Sequence, residues 1–231
     1  MPMKFKDFCV DLLFPPRCLL CGSVTEAIHA ICPACQEKKL IDQNFVCKKC
    51  GKPLHSCICL SMPYSFTAVI SAIPYDLDAV KAIKVLKFDT KSSVSLCFAR
   101  MMYSAYINSR ISFTPSAISY VPMNKAKETL RGKNQAKELC EHLARKLSLP
   151  IIPPPAIHTD NTVAQHSLKA HERWENAKNI YIPTNERVRG SIILVDDIMT
   201  TGATLEIMTR IFLQSGAENV LCLTAATTLK D

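Results

Sequence analysis

No apolar run in this 231-residue chain approaches the ~18 residues that a membrane-spanning helix needs. Its opening stretch, Met1 to Phe14, sets Lys4, Lys6, Asp7 and Asp11 among apolar residues and has no signal-peptide core. The apolar positions there (Phe5, Phe8, Cys9, Leu12, Leu13) follow a helical period instead. A cytoplasmic protein without a transmembrane segment is expected. Acidic residues are scarce: 20 Asp and Glu stand against 28 Lys and Arg, for a formal net charge of +8. That imbalance points to an anionic partner. Charged residues are 21% and hydrophobic residues 48% of the chain, the balance of a folded globular protein. The length allows one ordinary domain and a small appendage.

Cysteine, in contrast, is abundant in the first quarter. Cys18, Cys21, Cys32 and Cys35 form two C-x2-C pairs; Cys47 and Cys50 form a third, followed by the C-x-C pair Cys57 and Cys59. Zinc takes four thiolates in a tetrahedron, and a C-x2-C turn presents two of them together. Gly22 follows Cys21 and Gly51 follows Cys50, where glycine eases the tight knuckle around sulfur. Two structural zinc sites are expected, one of Cys18, Cys21, Cys32 and Cys35, the other of Cys47, Cys50, Cys57 and Cys59. In the second, His55 is an alternative ligand. A disulfide framework would require an oxidising compartment, which no signal peptide supports. Sites closed by four cysteines leave no open position for catalysis. Two zinc ions add four positive charges and eight thiolates remove eight, which halves the formal +8. Local basic patches must therefore carry any argument for nucleic acid. Cys9, Cys97, Cys140 and Cys222 lie in apolar patterns and read as small core residues.

Beyond Pro63 the pattern changes to alternating strands and helices. Strands are expected near 67–73, 117–121, 151–153, 191–196 and 219–226, and helices over 78–88, 93–107 and 135–147. The fold class is α/β, a mostly parallel sheet flanked by helices, with the cysteine-rich module at one side. Residues 1–62 form the N-terminal helix and zinc module, and 63–231 the α/β domain. Residues 121–150 hold seven Lys or Arg against three Glu. Lys125, Lys127, Arg131 and Lys133 bunch in what reads as a loop after a strand. In an open α/β sheet ligands bind beyond the strand C-termini, so these cations are placed to meet an anionic ligand. Lys48, Lys49 and Lys52 on a zinc knuckle form a second basic group.

Residues 192–204 read Ile-Ile-Leu-Val-Asp-Asp-Ile-Met-Thr-Thr-Gly-Ala-Thr. Four apolar residues suit a buried parallel strand. Asp196 and Asp197 sit where it would end, and Thr200, Thr201, Gly202, Ala203 and Thr204 form a hydroxyl-rich loop before a helix. Backbone N–H groups at a helix N-terminus favour an anion, and glycine lets the chain approach it closely. The same string also fits a plain strand–turn–helix unit.

This stretch resembles the phosphoribosyl pyrophosphate (PRPP) signature of type I phosphoribosyltransferases. The resemblance implies that Asp196 and Asp197 hold the ribose hydroxyls and that Thr200 to Thr204 wrap the 5′-phosphate, with Mg2+ accompanying PRPP. Gln165, Arg173 and Asn176 resemble the flexible-loop and hood-side residues of that class. The whole combination resembles the ComF family of competence proteins: the cysteine double knuckle, Leu13-Phe14-Pro15-Pro16-Arg17-Cys18, Lys84, Leu86, Lys87 and Phe88, then Arg131-Gly132-Lys133-Asn134-Gln135, then the PRPP signature. Two positions depart from the family pattern, Lys133 where an aromatic is usual and Asn124 where histidine is common. The resemblance implies handling of incoming single-stranded DNA during natural transformation, alongside DNA-uptake or recombination proteins, with Lys125, Lys127, Arg131 and Lys133 as candidates for pyrophosphate or DNA backbone and Lys48, Lys49 and Lys52 as further candidates for DNA. Two other functions fit the same motifs. One is a working phosphoribosyltransferase on a nucleobase, although no nucleobase pocket is legible; the other is a PRPP sensor acting through a protein partner.

Overall fold

A computed structural model describes residues 15–26, 29–57, 59, 63–88, 92–159 and 180–229. The expected N-terminal helix in Met1 to Phe14 and the Gln165–Asn176 segment lie outside these residues. Four parallel strands form the main sheet: β1 (Ala68–Pro74), β2 (Ala117–Tyr120), β5 (Ser191–Met199) and β6 (Asn219–Thr227), in the order β1-β6-β5-β2. A small antiparallel pair, β3 (Ala156–His158) and β4 (Tyr181–Pro183), lies apart from it. The helices are α1 (Pro33–Lys38), α2 (Leu77–Phe88), α3 (Ser92–Asn108), α4 (Lys125–Arg131), α5 (Gln135–Leu147) and α6 (Ala203–Gln214).

Strand periodicity divides the core into two layers. Ile193 and Val195 of β5, with Leu221 and Leu223 of β6, face a layer that contains residues of α2, α3 and α5. Ile192 and Leu194, with Val220 and Cys222, face the opposite layer, which contains residues of α6 and Tyr181 of β4. All eight are at most 1% exposed, so β5 and β6 are buried on both faces, as continuous apolar runs in parallel sheets are.

The cysteine-rich segment covers the free edge of β1. Val69 donates its N–H to the Lys49 carbonyl at 2.9 Å, and Ile41 donates to Ala72 at 2.9 Å. Such pairing removes an edge that would otherwise template aggregation. The first cysteine cluster sends Cys18 and Cys35 into the α2/α3/α5 layer, while Cys50 of the second enters the α6 layer. The two lobes thus straddle the sheet edge.

Three expectations need correction. Ile151 makes only an isolated parallel bridge to Ile118, because Pro153, Pro154 and Pro155 have no N–H to extend a ladder. The basic "loop" is largely helix α4, capped by the Asn124 side chain, which accepts from Lys127 N–H at 3.0 Å, and ended by Gly132 at φ 72°. These are standard start and stop devices. Strand β5 continues through Asp196 and Asp197 to Met199, with Met199 still paired to Thr227.

Candidate functional site

The carboxylate pair stands near the C-terminal end of β5, an interior strand of the sheet, in the place where open α/β sheets bind ligands. Each carboxylate is oriented by its own backbone: Asp197 N–H donates to Asp196 Oδ1 at 2.8 Å and Ile198 N–H to Asp197 Oδ1 at 2.7 Å. Burial pushes the Asp196 carboxyl well above the usual carboxylate range, and the adjacent Asp197 charge adds to that. Lys87, at the end of α2, supplies the countercharge, with Nζ 3.4 Å from Asp197 Oδ2. The Tyr181 hydroxyl is pushed up by burial and by the Asp196 charge. Two carboxylates crowded into a partly desolvated place favour a ligand that brings hydroxyl donors or a cation.

Gly202 ends the loop at φ 77° as the N-cap of α6. A Cβ there would lie 3.1 Å from both Met199 Cε and Tyr64 Cε1, so only glycine fits without displacement. The loop is tied from outside. Tyr64 donates its hydroxyl to the Thr201 carbonyl at 2.8 Å, and Thr228 N–H donates to the Met199 carbonyl at 3.0 Å. One turn into α6, Glu206 is fully buried and accepts from Ser65 N–H at 2.6 Å, Ser65 Oγ at 2.7 Å and Arg210 Nε at 2.6 Å.

Parallel pairing of β2 with β5 brings the basic segment out at the same end of the sheet as this loop. Lys125 and Lys127 are exposed. Arg131 lies over the Phe88 ring, 5.4 Å from its centroid, and donates to Gln135 Oε1 at 3.1 Å. Gln135 in turn donates to the Lys87 carbonyl at 3.0 Å. Lys133 is engaged with Glu138, Nζ to Oε2 2.7 Å.

Each cysteine cluster gathers four sulfurs within 4.8 Å of one another. Cys21 and Cys32 sulfurs are 3.8 Å apart, Cys47 and Cys59 3.7 Å, and Cys50 and Cys57 3.8 Å. A tetrahedral ion with metal–sulfur bonds of about 2.3 Å requires edges of roughly 3.8 Å, whereas a disulfide would require about 2.05 Å. Knuckle turns support both sites: Gly22 N–H donates to the Cys18 carbonyl at 2.9 Å, and Gly51 N–H to that of Cys47 at 2.8 Å. Burial, then neighbouring sulfurs, push the Cys35 and Cys59 thiols up, a crowding that a bound cation relieves. Cys59 completes the second cluster, and His55 is exposed outside it. Both clusters fit structural zinc ribbons.

Residues 9–63 match a double zinc ribbon domain. The chain is 29% identical to the DNA utilization protein YhgH of Shigella flexneri, over 90% of this chain and 96% of that one. It is 29% identical to competence protein F of Haemophilus influenzae, over 88% and 93%. With competence protein ComFC of Bacillus subtilis the identity is 27%, over 86% and 72%. Together with the double zinc ribbon, these relatives support a ComF family protein. Among solved structures, the chain is similar to orotate phosphoribosyltransferase from Aeropyrum pernix, at 14% identity, with 65% and 71% of the chains covered and a TM-score of 0.27.

Some of the lysines expected to meet DNA are placed elsewhere. Lys52 is 1% exposed. Lys49 donates to the Phe66 carbonyl, and Lys48 donates to the carbonyls of Gln43 at 2.7 Å and Ser109 at 3.3 Å. Lys48, through Ser109, and Lys49, through Phe66, fasten the zinc ribbon to the α/β domain. The sequence alone does not place Tyr64, Ser65 or Glu206 at the hydroxyl-rich loop. No spacing rule links residues 137 and 141 positions apart. Lys87 carried a signal as a cation closing an amphipathic helix, but not its pairing with Asp197.

Proposed function

We propose that this ComF protein binds PRPP, with Mg2+, at the end of β5 and handles single-stranded DNA during DNA uptake. The observation that carries the reading is one constellation: two carboxylates at the end of an interior parallel strand, followed by a glycine-capped hydroxyl loop at a helix N-terminus. Asp196 and Asp197 would accept hydrogen bonds from the ribose 2′- and 3′-hydroxyls. Thr200 to Thr204, with the first N–H groups of α6, would hold the 5′-phosphate. Lys125, Lys127 and Arg131, beside the loop through β2, would neutralise the pyrophosphate. Mg2+ bound with PRPP would supply charge stabilisation at the pyrophosphate. The names of the relatives, competence protein F and DNA utilization protein, support the DNA role.

The deciding experiment measures binding of an oligothymidine, by fluorescence anisotropy, with and without PRPP and Mg2+. Binding is expected at low salt, weakening steeply as salt rises. Affinity indifferent to salt, or no binding, removes the DNA role. Calorimetry with PRPP tests the sugar-phosphate site separately, and unchanged heats in Asp196→Ala would refute it.

A further inference from the structure

We infer that the exposed ridge formed by α2 and the start of the α4–α5 turn is the surface on which single-stranded DNA lies, with a base stacked on Phe88. This inference rests on the DNA-handling reading above and assigns it a surface. Leu77, Lys81, Lys84 and Phe88 are all exposed. They recur at the i, i+4, i+7, i+11 spacing that lines one helical face, while Ala79, Ala82, Ile83 and Leu86 bury the other. Phe88 is 62% exposed, a large apolar ring open to solvent.

What lies against Phe88 is Arg131, with its guanidinium 5.4 Å from the ring centroid. Gln135 holds that guanidinium at 3.1 Å and also the Lys87 carbonyl at 3.0 Å. The ring and the cation are therefore fixed before any ligand arrives. A flat aromatic face beside a guanidinium suits an unpaired base, because base faces are hidden in a duplex and open in a single strand. Lys81 and Lys84 run back from Phe88 over about 10 Å of helix, as phosphate contacts. The acidic groups at the far end, Asp76 and Asp78, are held by Lys39 at 3.0 and 2.8 Å, so they do not oppose a polyanion. Glu128 is half-buried on α4 and is the nearest acid in sequence to Arg131. The ridge ends at Lys87, which contacts Asp197; DNA on it would run toward the sugar-phosphate site. The zinc ribbon offers less, since Lys48, Lys49 and Lys52 are engaged or buried.

The test compares native protein with Phe88→Ala, Phe88→Trp and the double variant Lys81→Ala/Lys84→Ala. Probes are oligothymidine and a fully abasic oligomer of equal length; thermal melting verifies the fold, and all three side chains are exposed. Phe88→Ala is expected to weaken oligothymidine binding about tenfold without altering abasic binding, and Phe88→Trp to restore it. The lysine double variant is expected to weaken both probes and to reduce the salt slope by about 0.7 per lysine. Native protein that binds oligothymidine while every variant matches it overturns the ridge and leaves the DNA reading intact. Native protein that binds neither probe overturns both.

Discussion

The Tyr64 hydroxyl donates to the Thr201 carbonyl at 2.8 Å. That contact joins the first turn after the zinc ribbon to the middle of the proposed phosphate loop. Tyr64 also stacks on Phe66, ring centroids 4.6 Å apart, and Phe66 is fully buried. The segment acts as a rigid strap, so ribbon and loop share one support. Tyr64→Phe removes the donor and keeps the ring. It should cost about 1 kcal/mol of stability and weaken PRPP binding, with Thr201 no longer fixed. Denaturant melts and calorimetry check both; unchanged PRPP affinity would show that the strap does not hold the loop in its binding shape.

Zinc removal should act through the same strap. Elemental analysis is expected to find about two zinc ions per chain, because four-cysteine sites bind the ion tightly. Chelation should loosen the pairing of Val69 N–H with the Lys49 carbonyl at the β1 edge and lower PRPP affinity. Zinc-free protein with native PRPP affinity would separate the ribbon from the site.

Gly202 offers a backbone test. Its φ of 77° costs an alanine about 1 to 2 kcal/mol, and the added Cβ would press on Tyr64 and Met199 at 3.1 Å. Gly202→Ala should lower the melting temperature and abolish PRPP binding. Wild-type heats of binding in this variant would rule out close backbone approach to the phosphate.

Asp196 should show a trade between stability and binding. Its folded carboxyl holds a proton more tightly than in the unfolded chain, through burial and then the Asp197 charge. The unfolded state therefore binds fewer protons above the ordinary carboxylate value, and stability falls as pH rises through the raised folded value. Asp196→Asn should melt higher than the native protein at neutral pH and flatten that pH dependence, yet lose PRPP binding. A lower melting temperature at neutral pH would contradict the buried-charge account.

Much of the architecture was legible because burial imposes a period. Apolar runs at 67–73, 191–196 and 219–226 correspond to β1, β5 and β6, and the 3.6-residue pattern at 78–88 and 135–147 to α2 and α5. The helix over 125–131 was hidden, since none of its residues is buried and its only signals are caps. The β3–β4 pair was equally illegible, with three residues a side.

By itself, the sequence determined the chemistry of each part: cysteines at knuckle spacing, and an acidic pair before a hydroxyl loop at a helix start. These are local properties, set by neighbours a few residues away. Only the tertiary structure decided what each part serves. It buried Lys52, spent Lys48 and Lys49 on backbone carbonyls, closed Lys133 onto Glu138, and brought Tyr64 and Lys87 to the β5 loop. A lysine's charge is written in the chain, but whether it faces solvent or a carbonyl depends on contacts between residues far apart, which no local pattern encodes.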